Sequence, residues 1–383
     1  MARAPVYLDC HATTPLDPRV LEAMLPYFTE HFGNPASSTH AWGWKAQAAV
    51  EQARREVASI IGAAPRDIYF TSGATESNNL AIAGAVRAMS GRTRVVVSAI
   101  EHKSVLEPAS RLGREGFEVV RLPVGRDGIV DLEAAARAID GQTALVSVMA
   151  ANNEIGVIQP IAEIGRMARD AGALFHVDAA QAVGKIPLDV EAMCVDLLSM
   201  TAHKLYGPKG CGAIYVRRRL PVEPMLVGGG HERGLRAGTL NVPGIVGFGR
   251  ACAIAAAGMD EECRRVATLR DALLDGLRSN LGTVVVNGTL ERRLANNLHV
   301  SFPDVDGESL LIAIGDIAVS AGSACGSASG EPSHVLQAIS GDEPVPSASV
   351  RFGLGRFTTA DEIAWTVERF TTVVRHLRQK AHA

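Results

Sequence analysis

Short apolar runs rich in β-branched residues alternate, through the first half of the chain, with stretches in which apolar positions recur every three or four residues. Residues 67–70 precede a helical pattern at 78–89, residues 94–99 precede one at 104–115, and residues 143–150 precede one at 161–171. That rhythm predicts βαβ units and a mostly parallel sheet covered by helices. Residues 173–177 and 195–200 read as further buried strands. From about Gly258 the pattern changes to a long charged helix ending near Asn280, followed by strands around 284–286 and 297–302. A second, smaller α+β domain is the economical reading. The low-complexity stretch at 320–330, SAGSACGSASG, is too poor in apolar side chains to pack a core and is expected to form a mobile loop.

At 383 residues, with 47% hydrophobic and 21% charged side chains, the chain can bury enough surface for two domains. The expected division places residues 13–257 in a large domain, and residues 1–12 with 258–383 in a small one that carries the loop. Net charge is −3 and the basic residues are scattered, which argues against a nucleic-acid or membrane-surface footprint. Small molecules and proteins are the expected partners. Residues 1–14 lack a signal-peptide core, and no apolar stretch reads as long enough to cross a bilayer, so a cytoplasmic location is expected. The six cysteines (Cys10, Cys194, Cys211, Cys252, Cys263 and Cys325) are spread out with no C-x-x-C pair, which disfavours disulfide and metal-site readings. In a reducing compartment such thiols pack as small hydrophobes unless their surroundings argue otherwise.

In a doubly wound sheet, ligands bind outside the carboxyl ends of the strands, so polar residues just after strand-like runs are the first candidates for chemistry. Thr71-Ser72-Gly73-Ala74-Thr75-Glu76 has the composition of an anion-binding helix N-terminus, with a capping box as the plainer alternative. The run 173–177 ends in Asp178, with Gln181 three residues on; a carboxylate there either meets a cationic partner or caps a helix. After 195–200 come Thr201-Ala202-His203-Lys204 and the glycine-rich 207–210. A lysine entering a closed site from a strand end suits Schiff-base formation, while a solvated loop lysine is the plainer alternative. Cys325 alone among the cysteines lacks large apolar sequence neighbours, as a sulfur-carrying nucleophile requires and as a spare linker thiol also would. Phosphate cradle, aspartate and lysine in that order are what pyridoxal 5'-phosphate needs: the aspartate for the ring nitrogen, the lysine for the aldehyde carbon.

Ordered motifs carry the reading further. They are YLDCHATTPLDPRV at 7–20, FGNPASSTH at 32–40, FTSGATESNNLAI at 70–82, EHKSVLEP at 101–108 and ANNEIGVIQP at 151–160. FHVDAAQAVGK at 175–185, AHKLYGPKG at 202–210, GGGHERGLRAGTLNV at 228–242, SAGSACGSASGEPSHVL at 320–336 and VRFGLGRFTT at 350–359 follow. With these motifs the chain resembles, nearly end to end, the NifS/IscS-type cysteine desulfurases. These are class-V aminotransferases of the aspartate-aminotransferase-like, fold type I superfamily of pyridoxal 5'-phosphate enzymes. The resemblance implies an α/β fold with a mostly parallel seven-stranded sheet and a smaller α+β domain.

It also implies roles by position. Lys204 would bond the cofactor, Asp178 would pair with its ring nitrogen, and Gln181 would contact its phenolic oxygen. Ala74, Thr75, Thr201 and His203 match the phosphate-binding positions, with Thr239 reaching the same phosphate from the other subunit of a homodimer. His102 would stack over the ring and take part in proton transfer, and Asn153 and Arg351 would hold the substrate carboxylate, a task suited to the Arg fork. Lys204 would remove the Cα proton of L-cysteine and Cys325 would attack its sulfur, giving L-alanine and a persulfide. The persulfide would pass to an acceptor protein serving iron–sulfur cluster assembly or another thiolation pathway, with Cys325 a candidate ligand of a transient cluster in that setting. Departures from the family pattern are Thr201-Ala202 where many members have Ser-Gly, and Ala321, Gly326 and Gly330 where Ser, Thr and Leu are familiar. Housekeeping members usually continue beyond the point matching 378–383 into a tail that binds the iron–sulfur scaffold protein. Two other readings share the cofactor residues: a selenocysteine lyase or other fold type I lyase or aminotransferase, and a sulfur-delivery component that needs a partner for activity.

Overall fold

A computed structural model describes residues 5–89, 91–321 and 333–381. Its centre is a seven-stranded sheet in the order Ile68–Thr71, Gly212–Val216, Leu197–Thr201, Leu174–Asp178, Thr143–Ser147, Arg94–Ser98, Glu118–Leu122. Only Gly212–Val216 runs against its neighbours; every other pairing is parallel. The α/β expectation therefore holds, and the strands read from the sequence fall within a few residues of their observed positions. The five inner strands are buried or nearly so along their length, as strands covered by helices on both faces must be.

One face of the sheet packs Leu80, Ile82, Val86, Val105 and Leu112 against Val95, Val97 and Leu145. The other packs Val50, Val57 and Phe248 with Val96, Val146, Phe175 and Val177. A separate cluster forms around the three-stranded antiparallel sheet Val285–Val286, Asn297–Ser301, Ser349–Gly353. There Phe370 lies with its ring centroid 4.9 Å from Phe352 and 5.9 Å from Phe302. The N-terminal strand Val6–Tyr7 pairs in parallel with Ile317–Ala318, and Val6 and Leu8 join this second cluster.

Two expectations need correction. The long helix begins at Val242 rather than near Gly258, running Val242–Leu281 with the Asn241 side chain accepting from the Gly244 N–H. Its first half is a run of Gly, Ala and Ile with little amphipathic contrast, so periodicity did not reveal it. By length and composition that apolar run is also long enough to cross a membrane, contrary to the sequence reading, although half of it is buried within the fold. The small residues serve packing: a Cβ at Gly249 would stand 2.6 Å from Ala53 Cα in helix Ala41–Ser59, so the two helices meet at backbone distance.

A buried ion pair secures the segment that follows the sheet. Arg54 donates through both terminal nitrogens to the Glu232 carboxylate at 2.8 Å, and the Phe70 N–H donates to the same carboxylate at 2.6 Å. Glu232 and Arg233 sit in left-handed backbone, φ 46° and 55°, so this turn is strained and depends on its side-chain anchor. Replacing Glu232 with Ala leaves the buried Arg54 guanidinium with only the half-exposed Glu51 carboxylate, 3.1 Å from its Nε, as counter-charge. The expected loss is about 3–5 kcal/mol, read as a lower denaturation midpoint; a loss under about 1 kcal/mol would mean that the pair is solvated in solution.

Candidate active site

The turns after the sheet's carboxyl edge open into a cavity of about 450 Å³. At one end the chain leaves Ile68–Thr71, turns through Ser72 and Gly73, and enters helix Ala74–Asn79, which continues through a π-helical turn, Leu80–Gly84, into Ala85–Ala88. Ser72, Ala74 and Thr75 line the cavity. First-turn N–H groups have no intrahelical acceptors, so they and the helix dipole present partial positive charge there. Close packing makes the turn possible, since a Cβ at Gly212 would come within 2.6 Å of Gly73 Cα. The N-cap is Gly73 and carries no side-chain cap bond, so the capping box is not formed; Glu76 instead accepts from the Ser72 N–H at 2.8 Å and pairs with Arg236, while Ala74 and Thr75 face the cavity.

Thr201, His203 and Lys204 follow strand Leu197–Thr201 onto the same wall, and Lys209 joins them from the glycine-rich turn. His203 Nδ1 lies 3.1 Å from Thr13 Oγ1. Burial, then the neighbouring Lys204 charge, pulls the His203 pKa down to about 4, so its ring is neutral and serves as a hydrogen-bonding group.

Asp178 ends the central strand Leu174–Asp178, where Oδ1 accepts from the Ala180 N–H at 2.9 Å and Oδ2 from Asn78 Nδ2 at 2.8 Å. Gln181 follows in the next turn. Its Oε1 lies 3.0 Å from His11 Nδ1 and 3.4 Å from Lys185 Nζ, while its Nε2 donates to the His11 carbonyl at 3.0 Å. Burial, then repulsion from Lys204, lowers the Lys185 pKa to about 8. His102 N-caps helix Lys103–Arg114 and lines the cavity; burial and then Lys204 lower its pKa.

Arg351, in the middle of strand Ser349–Gly353, is fully buried. It donates to the Asn153 carbonyl at 2.9 Å, to Asp9 Oδ1 at 2.7 Å and to Ser320 Oγ at 3.0 Å. Ten of the twelve positions singled out in the sequence thus border one cavity: Ala74, Thr75, His102, Asn153, Asp178, Gln181, Thr201, His203, Lys204 and Arg351. Thr239 does not; it is exposed in the segment beyond Glu232. Cys325 lies outside the described residues. Described residues close on either side both hold to the cavity's surroundings: Ser320 Oγ donates to Asp9 at 3.0 Å, and Ser333 Oγ donates to Glu154 at 2.5 Å. Sequence reasoning missed His11 and Thr13, which come from an N-terminal motif given no chemistry, and Ser104 and Lys209, which stand near His102 and Lys204 in motifs whose other residues drew the assignments.

The donor set fits a phosphorylated pyridine aldehyde. An amine, a carboxylate and an anion cradle of hydroxyls and helix N–H groups share one cavity. Two buried nitrogens, His11 Nε2 and Arg351 Nε, have no hydrogen-bond partner among the described residues although both residues line that cavity. Unsatisfied buried polar atoms of this kind are costly unless a ligand meets them.

Comparison with known proteins agrees with this geometry. The family described as aminotransferase class-V matches residues 6–365, and the chain belongs to that family. Within it, the chain is 55% identical over 380 residues to the cysteine desulfurase IscS of Anaeromyxobacter sp. (strain K), covering 98% of this chain and 94% of that protein. It is 53% identical to the Homo sapiens cysteine desulfurase, covering 98% and 83%. Among solved structures, a NifS-like protein superposes with a TM-score of 0.90 at 40% identity over 97% of this chain and all of that one. A structure of SspA in complex with cysteine gives 0.81 at 35% identity, covering 92% and 100%. The protein is accordingly an enzyme of the cysteine desulfurase kind.

Cys10, Cys194, Cys211 and Cys252 are buried, which unsuits them to carrying sulfur to an acceptor. Burial pushes Cys10 and Cys211 up to about 12 and Cys252 well above the ordinary thiol range; Cys263 is raised too, but is partly exposed. A brief treatment with an alkylating agent at about pH 8 is expected to modify Cys263 at least about tenfold faster than Cys10, Cys211 or Cys252. Peptide mass mapping reads the order, and fast labelling of any of those three would show that the core opens in solution.

Proposed function

We propose that this enzyme removes sulfur from L-cysteine, leaving L-alanine and a persulfide on Cys325, with pyridoxal 5'-phosphate as cofactor. The observation that carries the reading is the single cavity in which Asp178, Lys204 and the Ala74–Thr75 turn converge. Lys204 would hold the aldehyde carbon, Asp178 the ring nitrogen and Gln181 the phenolic oxygen; Ala74, Thr75, Thr201 and His203 would hold the phosphate. Bound in this way, the group supplies an electron-withdrawing ring that stabilises negative charge at the substrate Cα.

The chain's own residues supply the rest. Arg351 and Asn153 orient the substrate by its carboxylate. His102 covers the ring face. Lys204, once its nitrogen is released, takes the proton from Cα. The Cys325 thiolate attacks the substrate sulfur: the S–S bond forms, the Cβ–S bond breaks, and the three-carbon remainder takes up protons and leaves as L-alanine. A sulfur-acceptor protein, an iron–sulfur scaffold among the candidates, would then draw the persulfide off Cys325 in the cytoplasm.

The reading also includes a homodimer, with Thr239 completing the phosphate site of the other subunit. Exposed Leu25, Phe28, Phe32, Trp42 and Trp44 support it, because so many large apolar side chains at the surface are characteristic of a covered face. Residues 13–257 would form the cofactor-binding domain and residues 1–12 with 258–383 the smaller one. Separate hydrophobic cores support that division, with helix Val242–Leu281 crossing it.

Wild type, Cys325→Ala and Lys204→Ala are compared for visible absorbance on adding L-cysteine, and for alanine and sulfide formed. Visible absorbance in wild type and Cys325→Ala, with alanine lost in Cys325→Ala by more than about a hundredfold, is the expected result. Equal alanine from both proteins would move the function to a lyase that does not use Cys325. Sedimentation should give a dimer, and Thr239→Ala should weaken cofactor retention by about fivefold, the worth of about 1 kcal/mol for one lost hydrogen bond; a stable monomer retaining full activity would overturn the shared-site reading.

A further inference from the structure

A chain of hydrogen bonds joins the two residues proposed to meet the cofactor ring, Asp178 at its nitrogen and His102 over its face, and the direction of each bond can be assigned. Asn78 lies 2.8 Å from Asp178 Oδ2 and 2.8 Å from Ser104 Oγ through the same terminal atom. An ionised carboxylate only accepts, so that atom is the amide nitrogen, and Ser104 Oγ therefore receives a hydrogen from Asn78. The one hydroxyl hydrogen of Ser104 is left for its remaining neighbour, His102 Nδ1, at 2.8 Å. Independently, the Ser104 backbone N–H, which can only donate, lies 3.1 Å from the same Nδ1 as the N-cap bond of helix Lys103–Arg114. Two donors thus converge on Nδ1.

From this geometry we infer that His102 is held as the neutral tautomer with its proton on Nε2, and that Ser104 and Asn78 are positioning residues that hold it there. Protonating Nδ1, in either the other tautomer or the imidazolium ion, would turn a proton toward two donors and leave both without an acceptor inside a buried site. His102 therefore offers a fixed Nε2–H donor, and in this state Nε2 has no lone pair with which to accept a proton. This inference rests on the proposed function in taking the cavity as the reaction site, and it revises one part of the sequence reading: proton transfer at Cα falls to Lys204 alone, while His102 covers the ring and donates a hydrogen bond. The surrounding charges work in the same sense on balance. Burial, Lys204 and His334 at the start of helix His334–Ser340 disfavour the cation, against opposing contributions from Asp178 and from Glu107 on the same helix as Ser104.

The test uses the holoenzyme labelled with 15N at both ring nitrogens of its 11 histidines, with His102→Gln to assign the resonance. Between about pH 5 and about pH 9, the range over which an ordinary imidazole would change charge, wild type is expected to show an unprotonated Nδ1 and a protonated Nε2 throughout. A protonated Nδ1, or conversion to imidazolium with a midpoint near neutrality, overturns the inference without need of any variant. Ser104→Ala should move the midpoint up and add an ionisation to the acid limb of the kcat/KM profile, and Ser104→Thr, which keeps the hydroxyl, should remove both effects. If Ser104→Ala lowers activity but leaves tautomer and pH profile unchanged, Ser104 is only structural and its positioning role is overturned. Failure of the cofactor reading would show separately, as the absence of visible absorbance, while the nitrogen resonances would still report the tautomer.

Discussion

A carboxylate buried at the tip of the central strand is the constraint from which the rest of the site follows. Removing Asp178 from water costs several kcal/mol unless its oxygens are met by donors. The fold meets them from two directions, with the Ala180 N–H in the turn that follows the strand and the Asn78 amide from a different helix. That second contact fixes the helix carrying Ala74 and Thr75 relative to the strand carrying Asp178. It also fixes the distance between a group suited to a pyridinium nitrogen and a group suited to a phosphate. Through Ser104 the same amide reaches His102, so one buried asparagine sets the relation of three parts of the cavity.

A second set of charges ties the two hydrophobic cores together beside the site. Asp9, at the N-terminus, holds Arg351 of the small sheet and Ser320. Arg356 reaches back to Asp17 and to Glu262, each at 2.7 Å, and its guanidinium lies 4.2 Å from the centre of the Tyr206 ring. Burial matters here more than number. The Asp17 and Arg351 side chains are almost fully enclosed, so their pairs act with little screening and fix orientation as well as proximity.

Most of the fold was legible because its signals are local. Strand-helix alternation, the small-residue turn at 71–76 and the polar residues closing 173–177 and 195–200 can all be read from neighbouring residues, and the structure puts them at the sheet's carboxyl edge. Strand Gly212–Val216 is only a five-residue apolar run with no alternation, set directly after a glycine-rich turn, and the start of helix Val242–Leu281 is hidden because Gly and Ala leave no amphipathic stripe. The supporting residues were illegible for a different reason. Asn78 meets its partners 26 and 100 positions away, and Asp9 meets Arg351 342 positions away. Nothing in the local sequence of an asparagine in a helix or an aspartate in a strand end announces such a partner.

The electrostatic balance of the cavity explains why these supports are placed as they are. Lys204, Lys209 and Arg351 line the cavity, and Lys185 stands behind Gln181, against Asp178 and the outer-edge Glu76. So many cations in a partly enclosed space repel one another, and the consequence is visible in Lys185, His203 and His102, each less basic than usual through burial and the charge of Lys204. The histidines respond by remaining neutral. Their hydrogen bonds to Thr13 and to Ser104 then need to fix only ring orientation, not to compensate charge. A site that keeps its imidazoles neutral and concentrates positive charge on lysine and arginine favours an occupant with two separated anionic groups. The proposed occupants, a phosphate at the Ala74–Thr75 turn and a substrate carboxylate at Arg351, would meet that requirement, with Lys204 lining the same cavity.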